Sequence, residues 1–150
     1  MISKYPDGAA DCETLMATTR GELILLSKNG GASRFYKTPA PFKNGTTQTL
    51  EKIGEYSFTG PTAFSYLTTG GDLSPDETRF AVRTYTHAYE WILPPDKNWK
   101  NVAWSTPRSW ELPASKQGEA ICYSADGAQY FLSSEGTPAP VWELEFAPVW

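Results

Sequence analysis

The sequence is poor in the residues from which zinc sites and catalytic centres are commonly built. It contains one histidine, His87, and two cysteines, Cys12 and Cys122, and neither cysteine belongs to a CxxC pair. This spacing excludes the usual zinc motifs. We interpret the two cysteines as buried free thiols, with a disulfide between them as the alternative.

Long apolar runs and clusters of basic charge are also missing. No run approaches the roughly 18 residues of a membrane span. The lysines and arginines are scattered and the net charge is −4, so nucleic-acid binding has no electrostatic footprint. The first eight residues lack the apolar centre of a signal peptide. We therefore expect a cytoplasmic protein that binds neither membranes nor nucleic acids; secretion is the alternative if a signal segment is missing from this sequence.

Runs of helix-favouring residues are scarce, whereas residues typical of strands and turns are abundant. The chain has six Trp, eight Tyr and seven Phe, and twelve Gly and twelve Pro interrupt it at short intervals. Aromatic residues favour pleated, half-buried strands, and Gly and Pro favour the turns between them. The composition therefore predicts an all-β fold of many short strands.

Three similar segments begin at Glu13, Thr69 and Glu119, an interval slightly longer than the roughly 40–50 residues of common propeller repeats. Each contains two strands joined by a tight turn, and the second and third turns read Ser-Pro-Asp-Glu and Ser-Ala-Asp-Gly. The second strands are predicted at 22–27, 79–85 and 128–134, and are expected to be among the most buried.

A third strand is predicted after each pair, at 32–37, 87–93 and 139–145, and an outer fourth strand at 48–56 and 104–112. Units of four antiparallel strands are the blades of a β-propeller. We predict one domain, residues 1–150, with blades at approximately 9–58, 59–112 and 113–150. The outer strand of the third blade is expected to be truncated or to come from elsewhere, because few residues follow its third strand and Pro148 disfavours a central strand there.

The amino-acid sequences of the repeats resemble those of bacterial six-bladed β-propellers of the WD40-like and phytase- or esterase-like kinds. The segments that carry the resemblance are Asp11–Leu15, Leu73–Asp76, Arg83–Trp91, Gln117–Ile121 and Ser133–Gly136. It extends from about Tyr5 to Glu145. It implies three four-stranded blades, about half of a six-bladed ring, and leaves the chemistry open.

Candidate ligand-binding residues follow from equivalent positions in the repeats. Glu13 and Glu119 occupy the same place near the start of first strands, which line the channel of a propeller. The ends of the second strands add Lys28, Tyr85 and Glu135, and Arg83 lies two residues before Tyr85. The two acids could bind Ca²⁺, which prefers carboxylate oxygens, or pair with Arg83 or Lys28. The alternative is that they hold neighbouring blades in register.

His87 is a further ligand-binding candidate because histidine titrates near neutral pH. A catalytic role is less favoured, because the sequence has neither a GxSxG motif nor a paired nucleophile. Three tryptophans could form a carbohydrate-stacking or partner-binding surface, although packing between blades explains their presence more simply. They are Trp99, Trp104 and Trp110.

The sequence thus predicts a ligand- or protein-binding module on a propeller scaffold, with a metal-dependent hydrolase of the phytase- or lactonase-like propeller type as the alternative. Propellers close with about four to eight blades, so three blades leave two open sides. A homodimer would complete six blades; a separate three-bladed partner is the alternative. In the dimer, residues 1–5 are expected to add a strand to the neighbour's third blade.

Overall fold

The computed structural model describes residues 2–39, 45–102 and 105–145. Its main part is three antiparallel sheets, each built around a central hairpin, which confirms the predicted all-β class. In this part of the chain the helices are a four-residue 3₁₀ turn at Ala63–Tyr66 and one α-helical turn, α1, at Trp99–Val102. No helix in the described ranges is long and apolar enough to cross a bilayer.

The first sheet, blade 1, contains four strands that follow one another in chain order across the sheet. They are numbered together with a short parallel pair, β1 and β5, that lies outside this sheet. The strands are β1 (Ile2–Lys4), β2 (Cys12–Ala17), β3 (Leu23–Ser27), β4 (Ala32–Lys37), β5 (Thr47–Thr49) and β6 (Glu51–Ser57). Blade 1 is β2-β3-β4-β6, and β6 begins three residues later than the outer strand predicted from the sequence.

Blades 2 and 3 repeat this order. Blade 2 consists of β7 (Thr68–Leu73), β8 (Arg79–Thr84), β9 (His87–Ile92) and β10 (Arg108–Glu111). Blade 3 consists of β11 (Gly118–Tyr123), β12 (Gln129–Ser134) and β13 (Val141–Glu145). Within the described residues blade 3 therefore has three strands, and the predicted outer strand of blade 2 is shorter than expected.

The first two strands of blades 2 and 3 are joined by turns that share one hydrogen-bond pattern. Ser74 Oγ donates to Asp76 at 2.7 Å, and Ser124 Oγ donates to Asp126 at 2.6 Å. In the second turn the backbone then enters the left-handed region at Gly127, where φ is +71°. Glycine adopts that conformation without steric cost, so the Asp-Gly pair closes the hairpin tightly.

Blades 1 and 2 meet through a large aromatic and aliphatic core. Phe80 stacks on Trp91 with ring centroids 4.9 Å apart and planes 2° apart, and Phe35 from blade 1 meets both rings edge-on. Stacked and edge-to-face pairs are the favourable arrangements of aromatic rings. The second strands are well buried, and their side chains Ile24, Leu26, Phe80 and Val82 are inaccessible to solvent.

Blades 2 and 3 are joined by a buried carboxylate as well as by apolar contacts. Glu90, in β9, pairs with Arg79 at 3.4 Å and with Arg108, and it accepts hydrogen bonds from Tyr123 at 2.9 Å and Tyr130 at 2.6 Å. Burial is the largest cause that raises the pKa of both tyrosines, and the contacts with Glu90 add to it. Both phenols therefore stay protonated and remain hydrogen-bond donors to Glu90.

The first strands of blades 1 and 3 both approach β7 closely at a pair of glycines. A Cβ atom at Gly70 would stand 2.7 Å from the backbone oxygen of Glu119, in blade 3. A Cβ at Gly71 would stand 2.7 Å from the oxygen of Ala81 and 2.8 Å from the methyl group of Thr14, in blade 1. The absence of side chains at these two positions permits the three blades to converge.

The N-terminal strand pairs with another strand of its own chain. β1 pairs in parallel with β5 of its own chain, and the following residues cover the outer half of blade 1. Tyr5 packs edge-on against Tyr36 at 4.8 Å, and Asp7 accepts hydrogen bonds from Tyr36 and Arg34, both at 2.8 Å. The expected strand addition to a neighbouring chain stays a prediction, and it would require β1 to pair through its other edge or to leave β5.

Candidate functional site

One end of the blade array collects the starts of the first strands and the ends of the second strands; we call it the strand-end face. Four of its side chains form a continuous chain of contacts across all three blades. Lys28 Nζ donates to Glu13 at 2.9 Å and to the Tyr85 hydroxyl at 3.0 Å. Tyr85 in turn donates to Glu119 at 3.1 Å. The predicted residues Glu13, Tyr85 and Glu119 are thus brought together, with Lys28 between two of them.

Lys28 is held in its charged state by these contacts. Burial acts to lower the pKa of Lys28, but the hydrogen bonds to Tyr85 and Glu13 outweigh it and raise the pKa above its usual value. The ammonium also lies 5.0 Å from the centre of the Tyr85 ring. Lys28 therefore neutralises Glu13 and fixes the position of the tyrosine.

This geometry bears on the predicted calcium site at Glu13 and Glu119. Among the residues that the structure describes, no three His, Cys, Asp or Glu side chains are grouped closely enough to hold a metal ion. One oxygen of Glu13 pairs with Lys28, and one oxygen of Glu119 accepts from Tyr85. The arrangement favours the alternative in which the acids hold blades in register, and calcium binding stays a prediction.

The sequence predicted Arg83 at the rim of the strand-end face. In the structure Arg83 lies beneath that face. The residue is 1% exposed at the junction of blades 2 and 3, and it donates to the carbonyl oxygens of Ala120 at 2.9 Å and Ser133 at 3.2 Å. Burial lowers the pKa of Arg83, and the charge of Glu119 opposes that effect. The side chain is buried because the blade interface forms over it.

The other two predicted residues are separate from the four-residue chain. His87 begins β9, and its Nδ1 lies 2.8 Å from the hydroxyl of Thr86. Glu135 directly follows β12, and its backbone N–H donates to the carbonyl oxygen of Gln117 at 2.8 Å. Neither side chain forms an ion pair within the described ranges.

Beside Tyr85 the face contains a cleft of about 560 Å³, which we call the Phe64 cleft. Two aromatic rings form its apolar part: Phe64 meets Tyr85 edge-on, with centroids 5.6 Å apart. Polar side chains complete the lining, and they are Thr62, Thr86, Ser115, Lys116 and Gln117. Apolar walls with a few hydrogen-bonding groups are typical of small-molecule sites, and the volume lies within their usual range of about 300–1,000 Å³.

Phe64 is presented to solvent by a fixed piece of backbone. Its side chain is 60% exposed, yet the adjacent Ser65 is fully buried and bonds to Thr86 at 3.0 Å. Ser65 also meets Thr62, whose hydroxyl lies 3.3 Å away, so the 3₁₀ turn is closed on itself. A large apolar side chain held in the open in this way is expected at a binding surface.

The opposite wall of the cleft belongs to the segment that precedes β11. Its backbone is anchored to the end of blade 3, because the carbonyl oxygen of Gln117 accepts from Ser134 Oγ and from the Glu135 amide, both at 2.8 Å. Lys116 is exposed, and it is the charged residue of the lining. The cleft thus lies between an anchored loop of blade 3 and the 3₁₀ turn before blade 2.

Sequence reasoning missed this cleft and favoured other aromatic residues. Trp99 is 5% exposed and packs on Phe80 at 5.0 Å, and Trp110 packs on Tyr130 at 5.6 Å. Trp110 thus packs between blades 2 and 3, and Trp99 belongs to the core that blades 1 and 2 share, so both have the inter-blade role that explained them more simply; Trp104 lies outside the described residues. The available signal for Phe64 was its place in a Gly-Pro-Thr segment between repeats, where a strand core is not expected.

The two cysteines are free, as interpreted from the sequence. Their burial differs from that interpretation, because Cys12 is half-buried and Cys122 is exposed. Cys122 lies in β11 on the side of blade 3 that faces away from blade 2.

The chain is similar in fold to several solved β-propeller structures. One is an aldose sugar dehydrogenase from Streptomyces coelicolor in its PQQ-bound form, with a TM-score of 0.59 at 13% identity over 87% of this chain and 40% of that one. Another is a gluconolactonase from Xanthomonas campestris, with a TM-score of 0.54 at 12% identity over 99% of this chain and 51% of that one.

A third similar structure is Sqt1 from Chaetomium thermophilum, with a TM-score of 0.52 at 18% identity over 89% of this chain and 30% of that one. The chain thus spans between about a third and a half of the length of these structures. The sequence matches no family model and no curated relative. The comparisons support a propeller-type fold, in agreement with the three antiparallel blades, and do not distinguish the WD40-like kind from others.

Proposed function

We propose that this half-propeller is a binding module that takes a small organic molecule in the Phe64 cleft. The observation that carries the proposal is the rigid presentation of Phe64, 60% exposed, beside Tyr85 and above a polar lining. The two rings supply apolar contact, and the hydroxyl and amide groups supply orientation. The contacts of Tyr85 with blades 1 and 3 fix one wall of the cleft before a ligand arrives, which lowers the entropic cost of binding.

A ligand-observed NMR screen tests this proposal. The panel should include sugars and sugar lactones, because two of the similar structures are named for reactions of such compounds. We expect that Phe64→Ala abolishes or weakens binding of every hit at least tenfold, since it removes the exposed ring. Ile92→Ala is the matched control, because Ile92 is 59% exposed at the end of β9. Hits that bind equally well to Phe64→Ala would refute the proposal.

We further propose that a second copy of the chain covers the open sides of blades 1 and 3 and completes a six-bladed ring. The side of blade 1 that faces away from blade 2 exposes Leu15 at 59%, and the corresponding side of blade 3 exposes Val141 at 71%. Half-buried Leu25 pairs with Leu15, and half-buried Phe131 lies on the same side of blade 3 as Val141, so each side presents more than one apolar residue and favours association. The N-terminal segment covers the outer half of blade 1, so the proposed contact falls on its inner strands.

Sedimentation velocity tests the ring. The expected species has twice the mass of the 16.6 kDa chain. Leu15→Glu should produce a monomer, whereas Ile2→Glu, which changes an equally exposed apolar residue on β1, should leave the dimer intact. A wild-type monomer that binds no hydrophobic dye would contradict the proposal. A complex with a different three-bladed partner would contradict it as well.

A further inference from the structure

The charged groups around the Phe64 cleft are distributed unevenly. Of the side chains that line it, Lys116 is the one that carries a charge at neutral pH. Lys116 is exposed and makes no ion pair with a carboxylate in the described part of the chain. A cation in such a position is available to a ligand.

A second cation lies close behind the same wall. The guanidinium of Arg83 and the hydroxyl of Ser115 crowd the same volume beside Gly118: a Cβ there would stand 1.9 Å from Arg83 Nη2 and 2.8 Å from Ser115 Oγ. The hydrogen bonds described for Arg83 go to backbone carbonyl oxygens, which carry no full charge. Its positive charge, which nearby Glu119 offsets in part, adds to that of Lys116 at this wall.

Ser115 provides a hydrogen-bond donor whose present position leaves it unused. Its Oγ is shielded from solvent and has no hydrogen-bond partner among the described residues. Leaving such a group unsatisfied costs roughly as much as a hydrogen bond contributes. Because Ser115 lines the cleft, a rotamer that exposes its hydroxyl there would offer a hydrogen-bond donor to a ligand.

The acids near the cleft oppose these cations only in part. Glu13 is paired with Lys28, whereas Glu119 accepts a hydrogen bond from the neutral hydroxyl of Tyr85 and offsets part of the charge of Arg83. Glu135 is exposed at the end of blade 3 and is not part of the lining. Among the side chains that line the cleft the one full charge is therefore positive, and the two aromatic rings belong to the same lining.

We infer that the Phe64 cleft recognises a carboxylate attached to a planar or apolar ring. The ring packs against Phe64 and Tyr85, and the carboxylate is bound by Lys116 with the hydroxyl of Ser115. Arg83 strengthens the attraction from behind the wall without direct contact. This inference rests on the proposed function, because it names the ligand class of the same cleft.

Benzoate and benzamide are suitable probes, since they share one ring and differ in charge. Both are titrated into the full chain and followed by ¹⁵N–¹H chemical-shift changes of the cleft residues. A solvent-exposed ion pair corresponds to a preference of about two- to fivefold, so benzoate should bind at least that much more tightly than benzamide. Lys116→Gln should abolish the preference, and Lys4→Gln, an exposed lysine on β1, should retain it.

The outcomes separate the inference from the proposed function. Equal affinities for the two probes, or a preference that survives in Lys116→Gln, overturn carboxylate recognition while ring binding stands. Absence of shift changes in the cleft with either probe overturns it as well. If Phe64→Ala binds both probes as tightly as wild type, the proposed function fails, whatever the effect of Lys116.

Discussion

The hydroxyl of Tyr85 donates a hydrogen bond of 3.1 Å to the carboxylate of Glu119, and this bond connects blade 2 to blade 3 beside the cleft. The same hydroxyl accepts from Lys28 of blade 1 at 3.0 Å. A single phenol thus links all three blades while its ring forms a wall of the proposed binding site. Stability and recognition depend here on the same side chain.

Tyr85→Phe should therefore lower the free energy of unfolding while the aromatic wall remains. Hydrogen bonds to charged groups contribute more than neutral ones, so we expect a loss of about 1–2 kcal/mol in urea unfolding. Tyr66→Phe is the control, because its hydroxyl donates to the backbone oxygen of Gly60 at an exposed site. An equal or larger loss in the control would show that the Tyr85 hydrogen bonds between blades stabilise the fold no more than an exposed hydrogen bond does.

The double variant Glu13→Gln/Glu119→Gln tests whether these acids hold blades or calcium. We expect the variant to have a lower Tm than wild type. Added Ca²⁺ should shift the Tm of both proteins equally, because Lys28 and Tyr85 already engage both carboxylates. A Ca²⁺-dependent rise in Tm of the wild type that the variant lacks would instead support the calcium site and, with it, the metal-dependent hydrolase.

Glu90→Gln should be strongly destabilising. The substitution leaves Arg79 and Arg108 without their shared carboxylate at a site where Glu90 is 2% exposed. Breaking a buried pair from one side costs about 3–5 kcal/mol, and the partial exposure of Arg108 places the expected loss near the lower end. Glu55→Gln, which breaks an exposed pair with Lys52, should cost less than about 0.5 kcal/mol by the same measurement.

Gly118→Ala should disturb both stability and the cleft. The new methyl group would lie 1.9 Å from the guanidinium of Arg83, a buried group with little freedom to move. Overpacking of this kind costs about 1–3 kcal/mol. Gly31→Ala is the control, since a Cβ there meets nothing within 4 Å. Chemical denaturation checks both variants, and equal stabilities would mean that Arg83 yields easily.

Stability should fall in acid partly through Asp76. The hydroxyl of Ser74, followed by the backbone amide of Thr78, lowers the pKa of Asp76 from 3.8 to about 2. A carboxylate with a lowered pKa stabilises the fold above pH about 4, and that contribution disappears as the pH falls from about 4 to about 2. Asp76→Asn should flatten this part of the profile by less than about 1 kcal/mol, because the turn is largely exposed. A carboxyl titration by NMR near pH 3.8 would contradict the assignment.

The inner strands could be predicted from the sequence because their determinants are local. β4 matches the predicted segment at 32–37, and the Ser-x-Asp turns fix the hairpins on either side of Asp76 and Asp126. The outer strands were predicted less well. β10 has four residues at the edge of its sheet, where little burial enforces an alternating pattern.

The candidate site was predictable to the extent that it obeys the repeat. Glu13, Tyr85 and Glu119 meet because equivalent ends of neighbouring strands lie at one face. Phe64 and Lys116 belong to segments between the repeats, so only the folded chain brings them together. The burial of Arg83 was also missed, because it depends on how closely blade 3 approaches blade 2.

The glycine pair in β7 makes the two blade junctions separately adjustable. A methyl group at residue 70 would press on the backbone of Glu119 alone, whereas one at residue 71 would press on its own hairpin and on Thr14. Each single alanine substitution would thus weaken one blade junction and leave the other unchanged. Hydrogen exchange on Gly70→Ala and Gly71→Ala could then show which blade junction opens first when the three blades begin to unfold.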